Sequence, residues 1–527
     1  MSSADKGFGK IVVLSRSDDT YARAIVTAAM QRSFTVTQIE NADYEHFCGR
    51  PQAAVLISPT DAELPILTHI LEFHGKALVL GRTGQAIAER LGIRILENEQ
   101  PDPTWARVAI DPTEPFNVSS VIIRYVQEHS LGRAAVVAAR PLVRYDFADE
   151  WNNLGYGSIP CDGTSWSIAC AADCREAVCI ASVESAQGLA LSAYSAVKDC
   201  DQGAALWINR AVGPVDSLEW LMVEEFWGNY RSEELPCYPY LNEIPLGYQG
   251  AVTMRLDCDQ GVETARPLFE LYSSMGLPFS VALLTGLHLR DADLQLLREI
   301  VSLGGAVVSH SVHHYSNWGD SYEAALQEAI ESRAWLQRNV PGDESGLYAV
   351  SPFHQNPPYA VNALADGGYE GFIGGTIHND PEFLLGRAGR VPFVKKRMVS
   401  HSQQCMLHGD CYHRYGRSLY PYKETFALHR RAGAILGYLD HPFGPEYTYG
   451  WDSEAERLGV HEQLLEHILA VDGLWWCSLA GCLDFLVQRD TARLWVTNSG
   501  EAMFVYDRGQ CVQVPSATWK GMVFGPK

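Results

Sequence analysis

Two short stretches of the chain carry residues able to hold a divalent metal and to activate water. The first runs Val252-Thr253-Met254-Arg255-Leu256-Asp257-Cys258-Asp259. Read as a strand, its two-residue side-chain period puts Arg255, Asp257 and Asp259 on one face, with Met254, Leu256 and Cys258 on the other. The second, about fifty residues on, is Ala306-Val307-Val308-Ser309-His310-Ser311-Val312-His313-His314, a small apolar strand that empties into three histidines. His310 and His314 are four apart, so a helical turn starting near His310 stacks both imidazoles on one side. A catalytic zinc site takes three ligands of histidine or carboxylate type and keeps one position open for water. Asp259, His310 and His314 make such a set. Asp257 remains close but unligated, where a general base belongs.

The elements that must position these groups alternate. After the strand ending at Asp259, the pattern predicts helix Thr264–Met275, strand Phe279–Leu284, helix Asp291–Leu303, strand Ala306–Ser309, helix Tyr322–Arg338 and strand Leu347–Val350. Repeated β and α units of this spacing fit a (β/α) barrel, in which function collects at the C-terminal ends of the strands. Asp257, Asp259 and His310 all fall at such ends.

In order and type, these motifs resemble the NodB-like polysaccharide deacetylases, carbohydrate esterase family four, in the subgroup whose first motif is Asp-x-Asp. The resemblance covers roughly residues 250–486. It implies Asp257 as base, Asp259 as metal ligand, and His310-Ser311-Val312-His313-His314 as the motif giving the other two ligands. Ser351-Pro352-Phe353 matches the family's Arg-x-Pro-Phe motif except that Val350 stands where the arginine belongs. Arg255, on the face of Asp257, is the candidate to take over that arginine's ion pair with the base. The backbone N–H of Phe353 is the implied oxyanion donor. Leu439-Asp440-His441 resembles the Leu-x-His motif, making His441 the general acid, with a tuning carboxylate expected in Asp410 or Asp440. The intermediate aspartate and tryptophan motif is not clear; His408, Asp410 and His413 sit about where it should be. They lie in a loop rich in Tyr and Arg (Tyr412, Tyr415, Tyr420 and Tyr422) that resembles a sugar-binding rim, with a solvated loop as the equal alternative. Either metal motif alone could be a solvated strand end or a surface histidine cluster; the joint, ordered occurrence favours a metal site.

The implied activity is metal-dependent removal of N-acetyl groups from an amino sugar or glycan. Zn2+ is the expected ion, with Co2+, Ni2+ or Fe2+ as alternatives. A second reading keeps the metal and changes the substrate, to a non-sugar amide hydrolase of the allantoinase or deformylase kind. A third is a catalytically inactive carbohydrate-binding protein.

A chain of 527 residues is too long for one core. The expected organisation is a doubly wound, flavodoxin-like α/β domain over 1–130, an accessory α/β or β-rich domain over 131–246, the deacetylase-type barrel over 247–490 and a small C-terminal β-meander over 491–527. In the first domain, Ile11–Leu14, Phe34–Ile39, Ala53–Ile57 and Ala77–Leu80 read as strands, and a proline-rich connection falls within 99–116. No GxGxxG follows the first strand, so a dinucleotide site is not expected. The formal charge of −22 and the lack of clustered Lys and Arg argue against a nucleic-acid partner. No run reaches the length of a membrane helix. The N-terminus lacks an apolar signal segment, and the thirteen cysteines show no CxxC spacing, which together predict a cytoplasmic protein with reduced thiols.

Overall fold

The computed structural model describes residues 9–96, 121–141, 168–185, 187–210, 212, 217–342, 346–375, 388–391, 394–403, 405–509 and 511–526. The proline-rich stretch 99–116 lies outside the described residues.

Ile11–Ser15 is a run of five residues buried on both faces, as a central parallel strand requires. It pairs in parallel with Ile39–Asp43 on one side and Ala53–Ile57 on the other. Gly75–Leu80 and Gly203–Ile208 extend the parallel array. From there the same sheet turns antiparallel through Ala190–Cys200, Val178–Ser185, Val121–Tyr125 and Ala139–Pro141. One nine-stranded sheet therefore runs across the boundary expected near residue 130. Backbone hydrogen bonding between Gly75–Leu80 and Gly203–Ile208 joins the two expected units edge to edge. The strand expected over Phe34–Ile39 is also different. Helix Thr20–Gln38 continues through it, bent at Thr35 (φ 62°), and the strand begins only at Ile39. Phe34 is fully buried there, edge-on to Tyr240, and Gln38 Nε2 donates to the Phe34 and Pro239 carbonyls. Tertiary packing thus outweighs the local alternation.

Among the described residues the second sheet has ten strands. Strand Gly250–Cys258 is buried along its whole length, because neighbours flank both edges: Ser280–Leu283 and Leu474–Cys477 on one, Ile435–Asp440 on the other. Beyond Ser280–Leu283 come Ala306–Ser309, Tyr348–Val350, Gly371–Gly375 and Val399–Gln403, all parallel. Among the described residues only Gly389–Arg390, at the edge, runs antiparallel. Helices such as Arg266–Ser274, Asp291–Ser302, Tyr322–Asn339 and Glu454–Leu469 lie between successive strands. In Asp291–Ser302 the residues Leu296, Leu297 and Ile300 face the core at helical spacing. The fold is mixed α/β with a large, mainly parallel sheet. Because the strands share one direction, Asp259, His310, Phe353 and His441 all emerge at the same C-terminal end.

The C-terminal residues do not form one meander. Arg493–Val496 and Ala502–Val505 make a separate hairpin, while Ala517–Trp519 and Met522–Phe524 pair with Tyr240–Leu241. Within the expected meander, residues 511–514 are irregular. Among the described residues no helix is long and apolar enough to cross a membrane.

Candidate metal centre and active site

Asp259 follows the last residue of the central strand, and its carboxylate is the hub of the site. Oδ1 lies 3.3 Å from His310 Nε2 and 3.7 Å from His314 Nε2, and the two imidazole nitrogens are 3.1 Å apart. His310 Nδ1 is 3.0 Å from the Val350 carbonyl, which only accepts, so Nδ1 carries the ring proton. In the neutral ring Nε2 is then a bare lone pair pointing at Asp259 and His314. The residue that occupies the expected arginine position thus serves through its backbone.

The helical turn expected to bring His310 and His314 together is absent. The chain reverses instead through left-handed residues, Ser311 at φ 69° and His314 at φ 56°. Polar groups pin this tight loop. The Glu328 carboxylate accepts the N–H groups of Val312 and His313 and contacts His313 Nδ1 at 2.6 Å. Ser311 Oγ accepts the His314 N–H, and Thr285 Oγ1 donates to the Ser311 carbonyl. Side-chain acceptors from Glu328 and Ser311 and the Thr285 hydroxyl donor satisfy backbone groups that a helix would have satisfied.

Asp257 lies on the same strand face, as the two-residue period predicts. Arg255 grips it with both ends of the guanidinium, Nε to Oδ1 at 2.7 Å and Nη2 to Oδ2 at 3.1 Å. Both side chains are almost wholly buried. Burial by itself would raise the Asp257 carboxyl, but Arg255, with His310 and His441, outweighs it and holds the pKa at about 2. Burial likewise acts against Asp259, and the facing His310 and His441 hold its carboxyl well below the usual range. Burial brings His314 down to about 4, and His310 adds to the shift. Phe353 stands edge-on to His314 with ring centroids 4.6 Å apart, in a tight turn at φ 49°. His354 is buried beside these groups and is held at about 3, by burial first and then by Arg255.

His441, directly after strand Ile435–Asp440, presents Nε2 to the other Asp259 oxygen at 3.4 Å. Its Nδ1 meets His408 Nε2 at 2.7 Å rather than a carboxylate. Asp440 cannot serve: side chains alternate across a strand, and its carboxylate points away to Arg457, His461 and the Trp451 indole. Asp410 is exposed, its carboxylate accepts the Cys411 N–H, and it comes no closer than 3.9 Å to His408. Burial, with His441 beside it, pushes His408 down to about 4, so it is neutral at pH 7.

The expected tyrosine rim is mostly core. Tyr422 is buried, and Tyr412 and Tyr415 pack against the same cluster, leaving Tyr420 exposed. The aromatic groups at the site are others. Tyr449 stacks on His441 at 4.0 Å and places its hydroxyl 3.5 Å from Asp259 Oδ2, and exposed Tyr447 lies edge-on to it. No motif in the sequence singled out Tyr449; a Tyr eight residues past a histidine is too common a pattern. His413 pairs with Glu456, and Arg417 bridges Glu456 and Asp452 nearby, so that cluster already holds a cation of its own.

Asp259, His310 and His314 each offer one ligand atom, all within 4.8 Å of one another. Asp259 Oδ1 is buried and, among the described residues, accepts no hydrogen bond. A buried carboxylate oxygen left without a hydrogen-bond donor is costly unless a cation sits beside it. The donor set fits a divalent ion of borderline softness.

No protein-family model and no curated protein sequence matches the chain. Solved structures share features of its shape. Agd3, a carbohydrate deacetylase, is 10% identical over 97% of this chain and 93% of its own, with a TM-score of 0.40. Puue allantoinase is 10% identical over 46% of this chain and 92% of its own, with a TM-score of 0.34. A family 4 acetyl xylan esterase from Clostridium thermocellum, in complex with a cobalt ion, is 14% identical over 45% of this chain and 91% of its own, with a TM-score of 0.29. Likenesses this slight carry no argument for what the chain does, which is read from its own side chains.

Proposed function

We propose that the chain is a metal-dependent hydrolase that removes N-acetyl groups from an amino sugar or glycan, working from a (β/α) barrel of the NodB deacetylase type. The observation that carries the reading is the meeting of Asp259 Oδ1 with His310 and His314, while Asp259 Oδ2 faces His441. Asp259, His310 and His314 would hold the ion, with Zn2+ the natural choice for such ligands. A bound divalent cation supplies Lewis acidity, which polarises an acyl carbonyl and acidifies a water.

Asp257 is ionised at neutral pH and is therefore the proton acceptor. Its low basicity, set by Arg255, suits it to take a proton only from a strongly acidified donor and to pass it on. His441 is fixed by His408 at Nδ1, which leaves Nε2 to deliver a proton to the departing amine. The carbon–nitrogen bond breaks, a carbon–oxygen bond forms, and acetate and an amine leave. The Phe353 N–H is assigned to the tetrahedral oxygen, a role worth about 3 kcal/mol at comparable sites. Tyr447 and Tyr449 offer ring faces against which a sugar can stack.

Acetate release from a panel of N-acetylated sugars and oligomers, in wild type and Asp257→Ala, tests the reading. The wild type should release acetate and the variant should not. Turnover of ureides or N-formyl compounds alone would move the chain to another amide hydrolase class. Glycan binding with no turnover would make it a binding protein.

A further inference from the structure

A cavity of about 390 Å3 lies where helix Thr20–Gln38 meets the second sheet, away from the Asp259 centre. Arg23, Thr27 and Arg32 of the helix line one wall, and Arg390, Arg489 and Asp490 line the other. Among the described residues, four guanidiniums and one carboxylate line this space in a chain of formal charge −22. Arg489 is only 4% exposed and donates to the carbonyls of Asn242 (2.7 Å), Arg32 (3.2 Å) and Leu241 (3.3 Å). Arg32 donates to the carbonyls of Arg390 (2.7 Å) and Gly389 (3.0 Å). The buried Glu243 carboxyl lies near both guanidiniums, which the carbonyls hold in place. Arg390 is held by Asp490 at 3.0 Å, a carboxylate it shares with Arg397, and Arg23 is held by Asp43. The cationic forks are therefore ordered in advance, and ordering is a cost that a ligand need not meet.

We propose that this cavity binds a small ligand carrying two or more oxyanion groups, a phosphate ester or a polycarboxylate. Planar guanidiniums match phosphate and carboxylate oxygens in pairs. The volume falls in the range of small-molecule sites. Arg23 comes from the N-terminal sheet's first helix and Arg390 from the edge of the second sheet, so a ligand with two anionic ends reaches both. Its binding clamps the two halves of the chain together.

The test uses the full chain, with pyrophosphate and citrate as probes, each titrated calorimetrically at constant ionic strength, and sodium chloride as reference. The wild type should bind at least one probe saturably and gain thermal stability from it, while chloride has no such effect. Tighter binding of pyrophosphate identifies the phosphate-ester class, and tighter binding of citrate the polycarboxylate class. Arg23→Gln and Arg390→Gln, both at the partly exposed rim, should each weaken binding at least ten-fold, while Arg124→Gln on the distant strand Val121–Tyr125 leaves it unchanged. Two outcomes would overturn the proposal: no saturable binding of either probe, or wild-type affinity in both rim variants.

Discussion

His408 Nε2 lies 2.7 Å from His441 Nδ1, so the imidazole that faces Asp259 is oriented by another imidazole and not by a carboxylate. Through this contact His408 sets the direction of the His441 ring, whose Nε2 faces Asp259 Oδ2.

His408→Ala should lower kcat about 10- to 100-fold, and His441→Ala about 100- to 10,000-fold, with the bound metal retained in both. His408→Asn, which keeps an acceptor near Nδ1, should recover part of the loss. Steady-state kinetics with metal analysis of each variant decides this. Equal losses in His408→Asn and His408→Ala would show that His408 acts by packing alone.

Arg255 and Asp257 form a buried pair. Arg255→Leu strands a buried carboxylate and should cost about 3–5 kcal/mol of stability. The double variant Arg255→Leu with Asp257→Leu removes both charges and should be more stable than the single one, though inactive. Urea unfolding of wild type and both variants checks the ordering; a double variant less stable than Arg255→Leu would contradict it.

His401 and His429 are buried in the second half of the chain, and burial holds each near pKa 4, against an ordinary 6.5. The unfolded chain then binds more protons between those values. Stability should fall as pH drops from about 6.5 towards 4, by on the order of 3 kcal/mol for each histidine. Buried Glu243, raised to about 7 by burial, works in the opposite sense and offsets part of the loss. His429→Gln, whose amide can still donate to the Thr425 carbonyl as His429 Nδ1 does, should flatten the slope. Urea midpoints measured from pH 7 to 4.5 report it; a stability that rises on acidification would refute the assignment.

Much of the site was legible in the sequence because it rests on short-range rules. The two-residue period of a strand places Arg255 and Asp257 together, and Asp259 at the strand's end follows from the same pattern. The His310–His314 approach was correct in outcome and wrong in means: a spacing of four suggests a helix, while the loop depends on Glu328, which belongs to the following helix. His441 was found through its strand, but its partner was not. Asp440 is adjacent in sequence and opposite in space, whereas His408 arrives from a segment 33 residues earlier. The continuous nine-stranded sheet was hidden for a similar reason. Pairing of Gly75–Leu80 with Gly203–Ile208 joins segments more than a hundred residues apart, which local patterns do not report.

The most direct measurement is the divalent metal content of wild type, Asp257→Ala and Asp259→Ala after equilibrium dialysis against zinc. Wild type and Asp257→Ala should each hold about one ion per chain, and Asp259→Ala should hold none, since it loses the carboxylate that faces both His310 and His314. A wild type that binds no ion, or an Asp259→Ala variant that keeps it, would remove the basis for the hydrolase assignment.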